Sequence, residues 1–381
     1  MFVLSLIVLC LLIGSLVYCA LMVLAARRYL AVRLMASHSL PPITIMKPLS
    51  GLDEGLYENL RSFFEQDYPL FELLFAVGHI EDSAVQIARK VMDEFQDVPA
   101  RLIAVGESPS PNAKVFSLCR MLELARYEII VMADSDTRVD SGFLRVMAAE
   151  MKDDVGLVTC PYRAVAGNSS WTRLEAIGLN TEFLGGVLVA RLLMGMDFAL
   201  GPAIAARKTV LEEIGGLARL QNYLAEDFVM GNLVAASGHR VILSSYRIEH
   251  RIGSQGFKAN LEHRLRWARS TRRSRRIGYL GLLFTYPLAL SLLLCAVHPQ
   301  WFPLAIVALL FRAAAAWAVA VDVLHDPLTC GNWWLVPVQD LISFAVWVGG
   351  FFGRSISWRG RRYSIQKDGT YADIDGEARA R

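Results

Sequence analysis

The chain has 381 residues, 54% hydrophobic and 20% charged, with a net charge of +3. That is too apolar for an ordinary soluble domain and too charged for membrane helices alone, which disfavours a transporter. The overall charge is unremarkable, and no nucleic-acid partner is expected.

Residues 2–26 form an unbroken apolar stretch long enough to span a bilayer. Arg27, Arg28 and Arg33 follow at once, placing that end in the cytoplasm by the positive-inside rule. A cleaved signal peptide is the competing reading. The run exceeds a typical apolar signal core, no basic segment precedes it, and no small-x-small cleavage site stands out, so residues 1–26 are read as an uncleaved anchor.

The next interval, 38–276, is expected to be one compact cytosolic domain. Ile43-Thr44-Ile45-Met46 is a short β-type run ending at Lys47-Pro48, and 56–66 reads as a helix with Leu56, Leu60, Phe63 and Phe64 on one face. A continuous apolar strand covers 72–77 and is followed by His79-Ile80-Glu81-Asp82. A helix over 84–95, a strand over 101–105, a helix over 114–125 and a very apolar strand over 128–133 complete the alternation. Alternating strands and helices imply a parallel α/β sheet wound on both faces. Ligands in such sheets bind beyond the carboxyl ends of the strands. Asp82 and Asp134-Ser135-Asp136 both follow strand ends, so they are expected to face one crevice.

Mg²⁺ and Mn²⁺ prefer oxygen ligands and keep substrate phosphates and water in their shell. Two carboxylates at i and i+2 on an extended segment point the same way, so Asp134 and Asp136 are the candidate metal ligands. Lys47 and Lys114 are candidate nucleotide contacts, each weighed against a simple surface lysine. Beyond Asp136 the alternation loosens. A strand is expected over 155–161. The stretch 183–206 is apolar but interrupted by Arg191, Asp197, Gly201 and Pro202, which suits an interfacial segment near the acceptor, or a buried helix pair.

Glu226-Asp227 begins an apolar helix. Acids there can cap the positive end of the helix dipole; alternatively Asp227 is a general base whose pKa is raised in a partly apolar crevice. Arg264-Leu265-Arg266-Trp267 sits in an arginine cluster running to Arg276. A membrane-flanking charge run explains most of that cluster, where anionic headgroups would attract it. The Arg-x-Arg-Trp core also suits a leaving diphosphate, because guanidinium groups grip phosphate oxygens bidentately and a tryptophan can wall the pocket.

Three more apolar stretches, 277–297, 301–321 and 332–352, close the membrane part at 277–353. Three full crossings would leave Arg354, Arg359, Arg361 and Arg362 outside, against the charge rule. Pro337 and Asp340 interrupt the third stretch, so 332–352 is expected to re-enter or lie at the interface, with a cytosolic tail over 354–381. Six cysteines (Cys10, Cys19, Cys119, Cys160, Cys295 and Cys330) show no paired spacing, which fits reduced thiols rather than a disulfide framework or zinc site. The sequon Asn168-Ser169-Ser170 would be silent in the cytosol.

These residues in this order resemble the ceramide glucosyltransferase family of GT-A, nucleotide-diphospho-sugar-type inverting transferases, taken to include bacterial enzymes that glycosylate hopanoid lipids. The resemblance runs from the anchor to Ser357-Trp358-Arg359-Gly360-Arg361-Arg362-Tyr363, through Lys47-Pro48-Leu49, Asp67-Tyr68-Pro69, Gly215-Gly216-Leu217 and Ala225-Glu226-Asp227. It implies a donor aspartate at Asp82, a metal aspartate at Asp134, a catalytic base at Asp227 and a final Arg-Trp at Arg266-Trp267. It also implies a UDP-sugar donor, Mg²⁺ or Mn²⁺, a lipid acceptor (ceramide or a hopanoid) in the bilayer, and a bacterial inner-membrane location. The chain departs from the pattern at His263, where Gln or Arg is usual, at Asp136, where the animal enzymes carry a smaller residue, and at Ser117, where asparagine is expected. His263 and Asp136 bring it nearer the hopanoid branch. A processive polysaccharide synthase or polyprenyl-phosphate sugar transferase is the alternative enzyme, and a degenerate membrane scaffold the non-enzyme alternative.

Overall fold

The computed structural model describes residues 2–32, 39–353, 355–358, 361–366 and 369–373. Arg33, Arg354, Arg359 and Gly360 lie outside the described residues.

The strands are β1 (Ile43–Pro48), β2 (Phe71–Val77), β3 (Ala100–Ala104), β4 (Ile129–Ala133), β5 (Thr137–Arg138), β6 (Val155–Thr159), β7 (Tyr162–Ala166), β8 (Ala203–Arg207), β9 (Arg240–Leu243), β10 (Ile248–Gly253), β11 (Ser355–Trp358), β12 (Arg361–Ile365) and β13 (Tyr371–Asp373). Seven form the main sheet in the order β3-β2-β1-β4-β8-β6-β9. The expected alternation holds over the first four, with helices Leu56–Phe64, Ala84–Glu94 and Ala113–Leu124 between them. Alternate side chains of each strand enter opposite cores: Ile43, Ile45 and Val131 join one apolar cluster, Met46, Ile130 and Met132 the other. Burial on both faces is why these strands read as unbroken apolar runs.

The sheet is mixed rather than parallel. Strand β8 runs antiparallel to both β4 and β6, with Ala133 opposite Ala203. This corrects the reading of 183–206 as one interfacial segment. Its first part is the helix Leu184–Met194, and its last is β8 in the centre of the sheet. Because β8 starts where β4 ends, the preceding loop is delivered to the crevice: the Asp134 N–H donates to the Pro202 carbonyl at 3.1 Å.

The N-terminal helix, Phe2–Leu30, runs four residues past the expected anchor and carries Arg27 and Arg28 in its last turn. At about 1.5 Å per residue it is long enough to cross a bilayer. Its outer half exposes Phe2, Val3 and Ile7, while Met22, Ala26 and Tyr29 are buried in the domain core. A β-carbon on Gly185 would meet the Met22 side chain at 2.1 Å, so the helix Leu184–Met194 approaches the anchor closely only because glycine stands there. Among the described residues three helices are long and apolar enough to cross a membrane, Phe2–Leu30, Ser170–Met194 and Pro299–Val323. A fourth is formed by Arg276–Thr285 and Pro287–Val297 if that pair, bent by 65°, counts as one span. The third expected C-terminal stretch becomes the helix Val336–Gly350, only 15 residues long.

Candidate active site

The cavity of about 540 Å³ lies at the carboxyl ends of β1 and β4. Asp134 and Asp136 line it from the β4 end, and Glu226 and Asp227 from the start of the helix Glu226–Ala236. Lys114 stands between them: its ammonium is 2.7 Å from Asp134 Oδ1 and 3.1 Å from Glu226 Oε1. Asn112 caps that lysine's helix through the Val115 N–H and reaches across to the Tyr223 carbonyl and Glu226. One short segment therefore ties the two acidic walls together.

The carboxylates are set apart electrostatically. Burial, with Glu226 beside it, raises the pKa of Asp227 to about 7 against the opposing pull of Lys114. Burial also raises Asp134, with Lys114 opposing. Burial pushes Asp136 upward too, but His250, Lys47 and Lys114 outweigh it and hold its carboxyl low. Burial lowers the pKa of Lys114, yet Asp134 and Glu226 outweigh that and raise it. A basic carboxylate facing an ionised one across a cavity is the division of labour that acid–base chemistry requires.

His250 Nε2 lies 3.2 Å from Asp136 Oδ2, placed there by the pairing of β10 with β5, in which His250 sits opposite Thr137. The other carboxylate oxygen, Asp136 Oδ1, is buried without a hydrogen-bond partner. That orphaned oxygen beside Asp134 fits a hard divalent cation. No group of three or more His, Cys, Asp or Glu side chains that could hold a metal exists among the described residues. Two carboxylates would leave the remaining coordination to phosphate and water, as Mg²⁺ and Mn²⁺ sites commonly do.

Three expected donor contacts, Lys47, Asp82 and Arg264, fall outside the cavity lining. Lys47 lies beneath the site, not in it: it is fully buried, donates to the Asp134 carbonyl at 2.8 Å and sits 3.7 Å over the Phe63 ring. Burial lowers its pKa to about 7 against the pull of Asp134, Asp136 and Asp53. The strand register runs through Pro48, so a lysine that looked like a strand end is a core residue. Asp82 is outside the cavity lining. Its oxygens accept from the N–H groups of Gly51 (3.0 and 3.1 Å) and Ala84 (2.9 Å), which fixes the Leu49–Ser50 loop at the rim. Arg264 points away, donating to Ser343 at 3.0 Å on the helix Val336–Gly350. Arg266 and Trp267 do line the cavity, because His263, Arg266, Trp267 and Ser270 fall on one face of the helix Phe257–Ser274.

Other lining residues carried no sequence signal of their own. Arg275, which looked like membrane-flanking charge, has its guanidinium 4.9 Å from the rings of both Phe198 and Phe228 at the cavity wall. Asp53 accepts a short hydrogen bond from Ser135. Tyr162 packs edge-on against His250 and stacks on Phe183.

A family model described as glycosyl transferase family 21 matches residues 6–371. The curated ceramide glucosyltransferase 3 of Caenorhabditis elegans is 29% identical over 233 residues, 61% of this chain and 50% of that protein. Ceramide glucosyltransferase 1 of the same organism is 28% identical over 211 residues, 55% of this chain and 45% of that protein. The chain thus spans about half the length of the curated relatives it matches. Among solved structures, the mannosyltransferase PcManGT of Pyrobaculum calidifontis, in complex with GDP-Man and Mn²⁺, superposes with a TM-score of 0.55. It is 18% identical and covers 92% of this chain and 99% of its own, a likeness of GT-A fold.

Proposed function

The chain belongs to glycosyl transferase family 21, and on that premise we propose that it is a membrane enzyme that moves a hexose, glucose or N-acetylglucosamine, from a UDP-sugar to a hydroxyl of a membrane lipid. The acceptor is a ceramide or a hopanoid polyol. The observation that carries this reading is the pairing, in one cavity, of the Asp134/Asp136 carboxylates at a strand end with Asp227 on the facing helix.

The lipid hydroxyl attacks the anomeric carbon while its proton passes to Asp227, whose raised pKa makes it a usable base near neutrality. The bond to the diphosphate breaks in the same displacement, and the configuration inverts. Arg266 and Arg275 on one wall and Lys114 on the other supply positive charge to the departing diphosphate. Asp134 and Asp136 would hold Mg²⁺ or Mn²⁺, which when bound neutralises that diphosphate. His250 keeps Asp136 ionised and oriented for this. Trp267, edge-on to Phe183, closes the wall beside the acceptor side.

The test is purified full-length protein with a panel of UDP-sugars and either ceramide or bacteriohopanetetrol, products read by mass spectrometry. Sugar on one of those lipids supports the reading. Product on a polyprenyl phosphate or as a polymer would replace it with the alternative enzymes.

A further inference from the structure

A second cavity of about 150 Å³ adjoins the first and shares Phe183, Trp267 and Thr271 with it. Its outer walls are the bent helix pair around Tyr279 and Tyr286 and the Trp347 face of the helix Val336–Gly350. Outside those walls Ile277 and Leu280 are 87% and 57% exposed, as expected of side chains meeting lipid. Its inner wall bulges to a π-helix at Leu179–Phe183, which turns Glu182 toward the Tyr286 hydroxyl (2.6 Å) and Phe183 toward the main cavity. Such bulges recur at functional sites.

The boundary between the two spaces is a polar pair. Glu175 lines the side cavity and His263 the main one. Glu175 is buried and spends both oxygens on one helix, Oε1 at 2.8 Å from His263 Nδ1 and Oε2 at 2.6 Å from the Asn260 amide. A carboxylate only accepts, so Nδ1 carries a hydrogen toward Glu175, and Nε2 is the ring's remaining polar atom. No hydrogen bond to Nε2 is made among the described residues. The ring is further held against Trp267, centroids 5.6 Å apart. An oriented imidazole with one committed nitrogen, at the junction of a lipid-side opening and the cavity of Asp227, is built to receive a hydroxyl.

Resting on the transferase reading above, we propose that His263, clamped by Glu175, is the positioning residue for the attacking hydroxyl, and that the acceptor's polar end reaches it through the side cavity. Nε2 holds the acceptor's polar end in place, and the attacking hydroxyl gives its one proton to Asp227. His263 itself makes and breaks no covalent bond. Glu175 and Glu182 outnumber Arg264 on the side-cavity wall, which favours an uncharged, hydroxylated headgroup over a lipid phosphate.

The experiment uses full-length protein in lipid nanodiscs with the UDP-sugar and whichever of ceramide or bacteriohopanetetrol it accepts. His263→Ala, His263→Gln and Glu175→Gln are compared for acceptor KM, kcat and calorimetric affinity for UDP. Loss of one oriented hydrogen bond should lower kcat/KM for the lipid roughly 3- to 10-fold in His263→Ala and Glu175→Gln, with UDP affinity unchanged. His263→Gln, which keeps a polar side chain there, should recover much of that loss. A parallel fall in UDP affinity, rates within twofold of wild type, or no recovery in His263→Gln would each overturn the proposal. Wild-type protein that glycosylates neither lipid would instead overturn the transferase reading beneath it. Should His263→Ala fail to fold, the two conservative variants decide the outcome alone.

Discussion

A β-carbon on Gly201 would stand 2.9 Å from Oδ2 of Asp227. The carboxylate can lie against the loop that enters β8 only because that loop has no side chain there. The same loop receives the Asp134 N–H through Pro202, so one turn of backbone indexes both sides of the reaction centre. Gly201→Ala should fold, since the clash falls on the movable end of a side chain. It should lower kcat roughly 10- to 100-fold by displacing the base, with UDP affinity unchanged. Unaltered turnover would show that the position of Asp227 is not set by this contact.

Asp227 should govern the acid limb of the rate. A base must be deprotonated, and this carboxyl is lifted to about 7, so kcat/KM should fall about tenfold per pH unit below that value and level off above it. Asp227→Asn should lose about 10²–10⁴ in rate and with it the limb. Stability carries the opposite sign. The folded pKa lies above the unfolded one, so the contribution of this group to stability is present below about pH 4 and lost as pH rises toward 7. Asp227→Asn should therefore unfold at the same or higher temperature than wild type at pH 8. A lower midpoint would mean that the carboxylate supports the fold.

Asp134→Ala should abolish metal-dependent UDP binding while leaving the protein in the membrane; calorimetry with and without Mn²⁺ reads it. Replacing His250 by Ala removes the partner that holds Asp136 low, and should weaken that metal dependence about 10- to 100-fold. Equal UDP affinity with and without Mn²⁺ in wild type would refute the assignment of both carboxylates.

The first half of the site was legible because its signals are local. An acid pair after Ile129-Ile130-Val131-Met132-Ala133 and an acid pair opening an apolar helix need only their own neighbours. What escaped depends on partners far along the chain. His250 reaches Asp136 across 114 positions through a strand pairing that no local pattern announces. Strand β8 is five residues, Ala-Ile-Ala-Ala-Arg, inside an apolar interval, and apolar runs that short do not declare their period. Lys47 shows the reverse problem: a charge after an apolar strand reads as a surface position, but the register carries it into the core. Arg264 and Arg266 belong to one motif, yet two residues turn a helix by about 200°, so only one can face the cavity.

The Arg312–Asp340 pair makes a separate stability prediction. Both side chains are buried, and two contacts of 2.8 Å join the helix Phe302–Ala316 to the helix Val336–Gly350, with Thr181 at 3.0 Å. Arg312→Met alone leaves a buried carboxylate uncompensated and should cost about 3–5 kcal/mol. The double variant Arg312→Met, Asp340→Leu should recover most of it in thermal unfolding in detergent. A double variant as unstable as the single one would assign the loss to packing.

The last prediction concerns which side of the membrane carries the tail. Strands β11, β12 and β13 form a small antiparallel sheet, and β13 reaches the catalytic domain: the Tyr371 N–H donates to the Asn222 carbonyl at 3.0 Å, and Tyr223 bridges Thr370. Leu224 packs among Ile356, Tyr363, Ile365 and Tyr371, two residues before Glu226. A tail that pairs with the catalytic domain must lie on the same face of the bilayer, so the chain crosses an even number of times between them. If the bent pair counts as one span, it and Pro299–Val323 would supply two crossings, and the 15-residue helix Val336–Gly350 is predicted to add no third. Its bond to the buried Arg312 is consistent with a helix seated on protein rather than lipid. With the exposed Cys10 and Cys330 replaced by Ser, Gln366→Cys offers an exposed thiol on the tail. It should resist an impermeant reagent in intact cells and react after permeabilisation. Labelling in intact cells would put the tail outside and overturn this prediction.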